Sequence, residues 1–217
     1  MIPGWTLGTL RSTGTAAGHE VLKLGGSLLG MPDWPRLVAG LIRGRAAGRP
    51  VIVVVGGGAV VDGLRTIDAA APADSGTMHD LAIGLMGTTA RLVSARLSLP
   101  LAGECPCTSA AVLDVPRWLA ASEQGRHLPA GWHVTSDSIA AHVAAVTGGD
   151  LLLGKRAPPP FPCADDPLGA LVESGWVDGY FPAAAGPLGR IGWAVPASVP
   201  APALDGPAGQ RSGPRGR

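Results

Sequence analysis

The sequence lacks several features that would assign it to a common class. It has no run of about 18 apolar residues, so the pattern predicts no membrane span. A net charge of +1 gives no electrostatic case for nucleic acid or an anionic membrane surface as a partner. Three cysteines are an odd and sparse set, which favours a reducing, cytoplasmic setting. Cys105 and Cys107 could form half of a metal site, but no second ligand pair has zinc spacing, so we predict no protein-built metal site.

Two nucleotide-binding fingerprints are also absent. A P-loop requires G-x-x-x-x-G-K-[ST], and neither lysine of the chain follows that pattern. A dinucleotide fingerprint requires G-x-G-x-x-G, but the run that begins at Gly56-Gly57-Gly58 has Val61 in the last position. These mismatches exclude a P-loop enzyme and argue against a dinucleotide-binding fold.

Lysine is the scarcest charged residue, and its two positions are informative. Of seventeen basic residues, only Lys23 and Lys155 are lysine. Each follows an apolar run, Val21-Leu22 in one case and Leu151-Leu152-Leu153 in the other. A compact ammonium is not interchangeable with a guanidinium where it must lie against a phosphate. Arginine-biased codon usage with chance placement is the alternative explanation; we interpret the pair as functional.

Strands, glycine turns and helices alternate along the first half of the chain. Glu20 to Leu24 is a short apolar strand that ends in Gly25-Gly26-Ser27, a turn whose N–H groups can approach an anion. Val51 to Val55 is a β-branched run typical of a parallel strand buried on both faces, and Gly56-Gly57-Gly58 follows it. Each glycine turn leads into a helix, where an anion can bind. This βαβα order predicts an α/β sandwich with a mostly parallel central sheet.

The remaining elements follow from caps, breakers and periodicity. We expect residues 1–19 to be a flexible leader, 20–200 to form one domain, and 201–217 to be a disordered tail rich in Pro, Gly and Arg. Asp33 and Asp74 are candidate helix caps. Helices are expected after Asp33 and over about 59–70, 77–97, 116–121, 135–147 and 167–174. Further strands are expected near 99–104, 111–113, 150–154 and 191–195, and a strand or turn over 176–181.

In this order, these motifs resemble the amino acid kinase superfamily. They are Lys23-Leu-Gly-Gly-Ser27, the strand into Gly56-Gly-Gly58, Thr135-Ser-Asp137 at a helix start, and the strand that ends at Lys155. Within the superfamily the chain is most similar to the small aspartokinase-like group, which contains the aminomethylfuran phosphate kinase of methanofuran biosynthesis. That similarity rests on Asp62 and Arg65 after the glycines, His79 with Ala82-Ile83 and Met86, and Trp132 to Ile139. Ala59-Val60 departs from the pattern, where a proline and an aromatic are expected.

The resemblance implies a reaction and a role for each matching residue. Lys23 and Lys155 would neutralise the β- and γ-phosphoryl oxygens of ATP, and Asp137 would orient both lysines. Mg²⁺ would be held mainly by ATP itself. The phosphate would be bound by Gly25, Gly26 and Ser27, with Thr135 and Ser136 at the helix start. The acceptor would be bound by Gly56, Gly57, Gly58, Asp62, Arg65 and His79.

Several of these residues also have structural explanations. Asp137 could be a plain helix cap, and His79 a cap or surface residue. Asp62 and Arg65 are three apart on one helix face and could be a local ion pair; Arg65 could instead bind an acceptor phosphate through two parallel hydrogen bonds. Trp132 could be a core residue or a wall of the nucleotide pocket.

The resemblance also implies an organisation and leaves alternatives for the substrate. About residues 20–130 would bind the acceptor, residues 131–200 would bind ATP, and the chain would form a homo-oligomer. We expect an ATP-dependent kinase whose acceptor is a phosphomonoester, such as an aminomethylfuran phosphate. The alternatives are a kinase of an aspartate- or glutamate-like carboxylate, and a nucleotide- or oxyanion-binding storage protein of the same fold.

Overall fold

Seven strands form one sheet in the computed structural model, which describes residues 2–104, 109–123, 127–160 and 167–197, without the side chain of Pro167. The strands are β1 (Trp5–Ser12), β2 (Glu20–Leu24), β3 (Val51–Val55), β4 (Leu101–Ala102), β5 (Ala110–Leu113), β6 (Asp150–Gly154) and β7 (Arg190–Pro196). Their order is β1-β7-β6-β2-β3-β5-β4. Every neighbouring pair is parallel except β1 with β7. The predicted mostly parallel α/β sandwich is therefore confirmed.

Helices cover both faces of the sheet. They are α1 (Trp34–Ala46), α2 (Ala59–Ala70), α3 (Ser75–Leu97), α4 (Val115–Ala121), α5 (Ser136–Thr147), α6 (Pro167–Glu173) and α7 (Phe181–Ala185), with a 3₁₀ helix over Gly26–Gly30. One core lies beneath α1 and contains Leu41 and Val53. The other lies beneath α5 and α7 and contains Ile139 and Phe181. Within the described ranges, no helix combines the length and the apolar character that a membrane span requires.

The three central strands place the glycine turns and both lysines at the carboxyl-terminal ends of the strands. All five residues of each of β2, β3 and β6 are buried, as expected for apolar strands covered on both faces. Leu24 pairs in register with Val55 on one side and Gly154 on the other. The turns after β2 and β3, and Lys155 after β6, therefore leave the sheet side by side.

The amino-terminal ends of the central strands are held by ion pairs between buried carboxylates and two arginines, one in α1 and one directly after it. Glu20 begins β2 and accepts hydrogen bonds from Arg45 and, at 2.6 Å, from Arg49. The same Arg49 donates to Asp150 at the start of β6, at 2.5 Å. One guanidinium thus links the first residues of the two strands that lead to Lys23 and Lys155.

The prediction of a flexible leader is wrong for the segment that forms β1. Trp5–Ser12 pairs antiparallel with β7, and the buried Trp5 donates its indole N–H to Leu37 O at 2.9 Å. Most residues of this edge strand are half-buried or exposed, so its sequence shows little apolar alternation. The predicted tail at 201–217 lies outside the described residues.

One local prediction is also wrong, and two others are confirmed. Asp33 has a left-handed φ of 56°, and its side chain makes no capping hydrogen bond to α1. The strand or turn expected over 176–181 is a turn that leads into α7. Asp74 does cap α3, because its carboxylate accepts from Thr77 N at 2.9 Å.

Candidate active site

Two ammonium groups converge on a single buried carboxylate. Lys23, from β2, places Nζ 2.9 Å from Oδ1 of Asp137 as an ion pair. Lys155, directly after β6, donates a hydrogen bond to Oδ2 of Asp137 at 2.7 Å. Asp137 lies in the first turn of α5, so three separate elements supply this centre. The tertiary structure thus places the only two lysines of the chain on the same partner.

Lys155 is also held by Trp176. Its ammonium donates to Trp176 O at 2.5 Å and lies 4.8 Å from the centroid of the indole ring. Trp176 is anchored in turn, because its own Nε1 donates to Ala157 O at 3.0 Å. Contact between an ammonium and an aromatic face favours the charged state of the lysine.

Burial and charge act in opposite directions on these groups. Burial lowers the pKa of Lys155 to about 8, and the nearby Lys23 lowers it too, while Asp137 and Asp178 raise it. Burial alone would raise the pKa of Asp137, but the two ammonium groups outweigh it and the pKa lies below its usual value. Lys155 can therefore change its charge near neutral pH, whereas Asp137 stays ionised.

The two glycine turns pack directly against each other. A Cβ added at Gly26 would lie 2.1 Å from Gly58 N, and one added at Gly58 would lie 2.6 Å from Gly26 O. Gly58 also has a φ of 56° with a ψ of −146°, a conformation that favours glycine. Since a side chain at either position would collide with the other turn, glycine is required there.

Gly25 and Gly56 are not available as phosphate ligands through their N–H groups, which corrects the prediction. Gly25 N donates to Gly154 O at 2.9 Å, and Gly56 N donates to Leu24 O at 2.9 Å. Both hydrogen bonds extend the sheet by one residue beyond the strands. Gly26, Ser27, Gly57 and Gly58 come next and line the cavity. Gly26 and Ser27 open the 3₁₀ helix, where N–H groups have no partner within the helix.

These residues surround a cavity of about 350 Å³. Of the fourteen predicted site residues, twelve line it, all except Gly25 and Gly56: Lys23, Gly26, Ser27, Gly57, Gly58, Asp62, Arg65, His79, Thr135, Ser136, Asp137 and Lys155. Residues predicted from five separate stretches of the chain are therefore brought together in one place.

The predicted acceptor residues other than the three glycines lie on α2 and α3. Arg65 contacts Asp62 at 3.2 Å, and both side chains are exposed, so the local ion pair is present. The Arg65 guanidinium also lies 5.0 Å from the centroid of Trp132, whose indole N–H donates to Asp68 at 2.7 Å. His79 Nδ1 lies 3.3 Å from Gly131 O. Trp132 is half-buried and forms part of the cavity wall.

Asp178 and Trp176 line the site but were not identified from the sequence. Asp178 accepts hydrogen bonds from Thr135 N at 2.9 Å and from Thr135 Oγ1 at 2.7 Å, and so contacts the start of α5. Both residues belong to a segment about 40 positions after α5 begins, without a motif of their own. Their only sequence signal is an aspartate and a tryptophan between the predicted helix at 167–174 and the last strand.

Comparison with known proteins agrees with this geometry. Residues 20–112 match the model of the amino acid kinase family. The UMP kinase of Bacillus anthracis superposes with a TM-score of 0.51 at 12% identity, covering 84% of this chain and 97% of that chain. The chain has the amino acid kinase fold. No curated protein sequence matches it.

Two further solved structures are similar to a lesser degree. The UMP kinase of Ureaplasma parvum has a TM-score of 0.48 at 14% identity, covering 84% of this chain and 99% of that chain. The aspartate kinase of Synechocystis has a TM-score of 0.45 at 18% identity, covering 64% of this chain and 28% of that chain. The family match includes β2, β3 and both glycine turns.

Proposed function

We propose that this protein is an ATP-dependent kinase that transfers the γ-phosphoryl group to a small phosphomonoester. The observation that carries the proposal is the pair of ammonium groups on Asp137, at the edge of a cavity where two glycine turns meet. The family match over residues 20–112 supports the same activity class.

The residues of the site suit the physical demands of phosphoryl transfer. Catalysis of this reaction depends on positioning and on neutralising charge at the phosphoryl oxygens, more than on covalent chemistry. Lys23 and Lys155 would supply two positive charges to those oxygens. Asp137 keeps the two like charges close together in the free protein, and the N–H groups of Gly26 and Ser27 can donate hydrogen bonds to an anion.

The described residues do not form a magnesium site of their own. No three His, Cys, Asp or Glu side chains among them are grouped as metal ligands. Both carboxylate oxygens of Asp137 already face ammonium groups. Any Mg²⁺ would come with the nucleotide and its phosphates, as the resemblance implies.

The acceptor is proposed to bind on the α2 and α3 side, in the half of the domain formed by about residues 20–130. Arg65 and His79 supply polar groups there, while Val61, Ile83 and Met86 supply apolar surface. A guanidinium can form two parallel hydrogen bonds with a phosphate. Aminomethylfuran phosphate is the first acceptor to test, because the sequence resembles that kinase group. ATP is proposed to bind on the side of Lys155 and Trp176.

Nucleotide binding gives the first test. A ligand that binds only the folded state raises its melting temperature by mass action. We expect Mg-ATP to raise the melting temperature of the wild type and to raise that of Lys23→Ala much less. The chain has no other lysine outside the site that could serve as a control. The control is therefore Arg36→Ala, which removes a positive charge from the exposed surface of α1. A wild-type protein that neither shifts nor binds Mg-ATP by calorimetry would contradict the proposal.

An acceptor screen separates the proposed function from its alternatives. Phosphomonoesters, aspartate- and glutamate-like carboxylates, and the oxyanions molybdate and tungstate are compared, with ADP release as the readout. Turnover with a phosphomonoester supports the proposal, while turnover with a carboxylate alone indicates the alternative kinase. Oxyanion binding without any turnover would indicate a storage protein. Sedimentation would test the predicted homo-oligomer.

A further inference from the structure

We infer that Asp178 is a positioning residue for the two-lysine centre, because its carboxylate holds the first turn of α5 and thereby the place of Asp137. The expected effect on nucleotide binding and turnover rests on the proposed function. The effect on the position of Asp137 and on the pKa of Lys155 concerns the free protein and does not. Asp178 contacts neither glycine turn in any described hydrogen bond, and it acts on the lysines through α5 and through its charge.

The Asp178 carboxylate accepts five hydrogen bonds. Thr135 N and Thr135 Oγ1 donate to Oδ2 at 2.9 and 2.7 Å, and Ser138 N donates to Oδ2 at 3.1 Å. Ser138 Oγ and Tyr180 N donate to Oδ1, the latter at 3.1 Å. Four of these five donors belong to the start of α5, where backbone N–H groups have no partner within the helix. An acidic side chain at this end is also favoured by the helix dipole.

The cap within α5 itself is weak without Asp178. Thr135 is the N-cap residue, but its Oγ1 accepts from Asp137 N at 3.5 Å, the long limit of a hydrogen bond. The Thr135 hydroxyl directs its own proton to Asp178 at the much shorter 2.7 Å. The aspartate from outside the helix therefore fixes both the helix start and the residue that should cap it.

Asp137 lies between the two residues that Asp178 holds. Thr135 precedes it by two positions and Ser138 follows it directly, so the backbone of Asp137 is fixed on both sides. Asp137 is buried and contacts Lys23 and Lys155 at 2.9 and 2.7 Å. A small rotation of this turn would change both contacts, since Lys23 lies in β2 and Lys155 directly follows β6, both outside α5.

The segment that carries Asp178 also reaches Lys155 by a second route. Trp176, two residues earlier, accepts the hydrogen bond from Lys155 Nζ at 2.5 Å. Tyr180 N, two residues later, donates to His133 O at 3.1 Å in the loop that bears Trp132. Asp178 is thus the middle anchor of a short segment that joins Lys155, α5 and the cavity wall.

The negative charge of Asp178 also favours the charged form of Lys155. The charged groups that face Lys155 are Lys23 from β2, Asp137 from α5 and Asp178. Burial and Lys23 lower the pKa of Lys155, while Asp137 and then Asp178 raise it. Removing the Asp178 charge, or loosening Asp137, should therefore lower the pKa of Lys155 below its value of about 8.

The scarcity of lysine allows a direct test in the full chain. Protein with ¹³C-labelled lysine side chains gives signals from only two residues, which Lys23→Arg assigns. We expect Asp178→Asn to lower the titration midpoint of the Lys155 signal and to weaken Mg-ATP binding by about tenfold, the scale of one lost hydrogen bond to a charged group. The amide retains the shape of the carboxylate but presents an NH₂ group to some of the five donors.

Asp114→Asn is the matched control. Asp114 is buried and caps α4 by accepting from Arg117 N at 3.4 Å, as Asp178 caps α5. Both variants should lower the melting temperature, but the control should leave the Lys155 titration unchanged. A Lys155 midpoint that is the same in wild type and Asp178→Asn would overturn the inference, because a merely structural cap would give that result.

A second variant covers the case in which Asp178→Asn does not fold. Thr135→Val removes the hydroxyl that donates to Asp178 but keeps the charge, and Thr135→Ser restores the hydroxyl. We expect the titration midpoint of the Lys155 signal to fall in the first variant and to recover in the second; equal midpoints in both would overturn the inference. If the wild type fails to bind Mg-ATP while Asp178→Asn still shifts the Lys155 titration, the proposed function fails and the positioning role stands.

Discussion

Replacing Asp137 with asparagine should leave two ammonium groups facing each other without a counter-charge. Lys23 and Lys155 have side chains only 6% and 13% exposed, so solvent cannot replace the carboxylate. Removing one partner of a buried ion pair typically costs about 3–5 kcal/mol in the free energy of unfolding. We expect a loss of that size for Asp137→Asn at about pH 7, together with loss of turnover.

The loss should depend on pH, and its sign follows from the two pKa shifts. The folded-state pKa of Lys155 is about 8, below its ordinary 10.5, so the unfolded chain binds more protons between these values and stability rises with pH there. Without Asp137 this pKa falls further, and the rise begins at lower pH. The pKa of Asp137 is lowered, so its own contribution is present above the ordinary carboxyl pKa and is lost as the pH falls through the folded-state value. The gap between wild type and variant should therefore be wider at neutral and mildly acidic pH than at pH values above about 8, the folded-state pKa of Lys155 in the wild type.

Urea denaturation of wild type and variant at about pH 7 and about pH 9.5 measures this gap. Asp114→Asn is again the control, since Asp114 is equally buried and its described hydrogen bond is to a backbone N–H. Its loss should be about 0.5–2 kcal/mol, typical of a cap, and should not change between the two pH values. If Asp137→Asn loses no more than Asp114→Asn, or if its loss is the same at both pH values, the account of a two-lysine centre is wrong.

Three further changes test other parts of the site. Lys155→Met should lower kcat by about 10²-fold or more, as removal of one preorganised donor does. It should not lower the melting temperature, since burial disfavours the ammonium. Lys155→Arg should lose turnover as well, and near wild-type turnover of Lys155→Arg would contradict the argument from lysine scarcity. Arg65→Ala should raise the acceptor KM much more than the KM for ATP, and steady-state kinetics would reveal an unchanged acceptor KM if Arg65 serves only its ion pair with Asp62. Gly58→Ala should lower the free energy of unfolding, measured by urea denaturation, by about 1–3 kcal/mol because of its φ of 56°. Gly63→Ala, in open space within α2, should raise the free energy of unfolding by about 0.5–1 kcal/mol. Equal effects of the two substitutions would exclude a strained turn at Gly58.

The local elements and the chemistry of the site could be predicted from the sequence because their signals are local. An apolar run long enough for a strand, followed by glycines, identifies β2 and β3, and the helix over Ala59–Ala70 has the predicted bounds. The two lysines are conspicuous because the chain otherwise uses arginine. Thr135-Ser136-Asp137 is a helix-start signal that places Asp137 in the first turn.

The partners of these residues were decided by the tertiary structure, since hydrogen bonds between distant segments leave no mark on either one. Gly25 and Gly56 look identical to their glycine neighbours in the sequence, yet only the sheet register shows that their N–H groups are bonded to Gly154 O and Leu24 O. Trp5–Ser12 forms a strand because it pairs antiparallel with β7. Asp178 becomes a cap because the chain returns to α5 about 40 residues after the helix begins. Sequence alone determined which groups could do the chemistry, and the fold determined which of them meet.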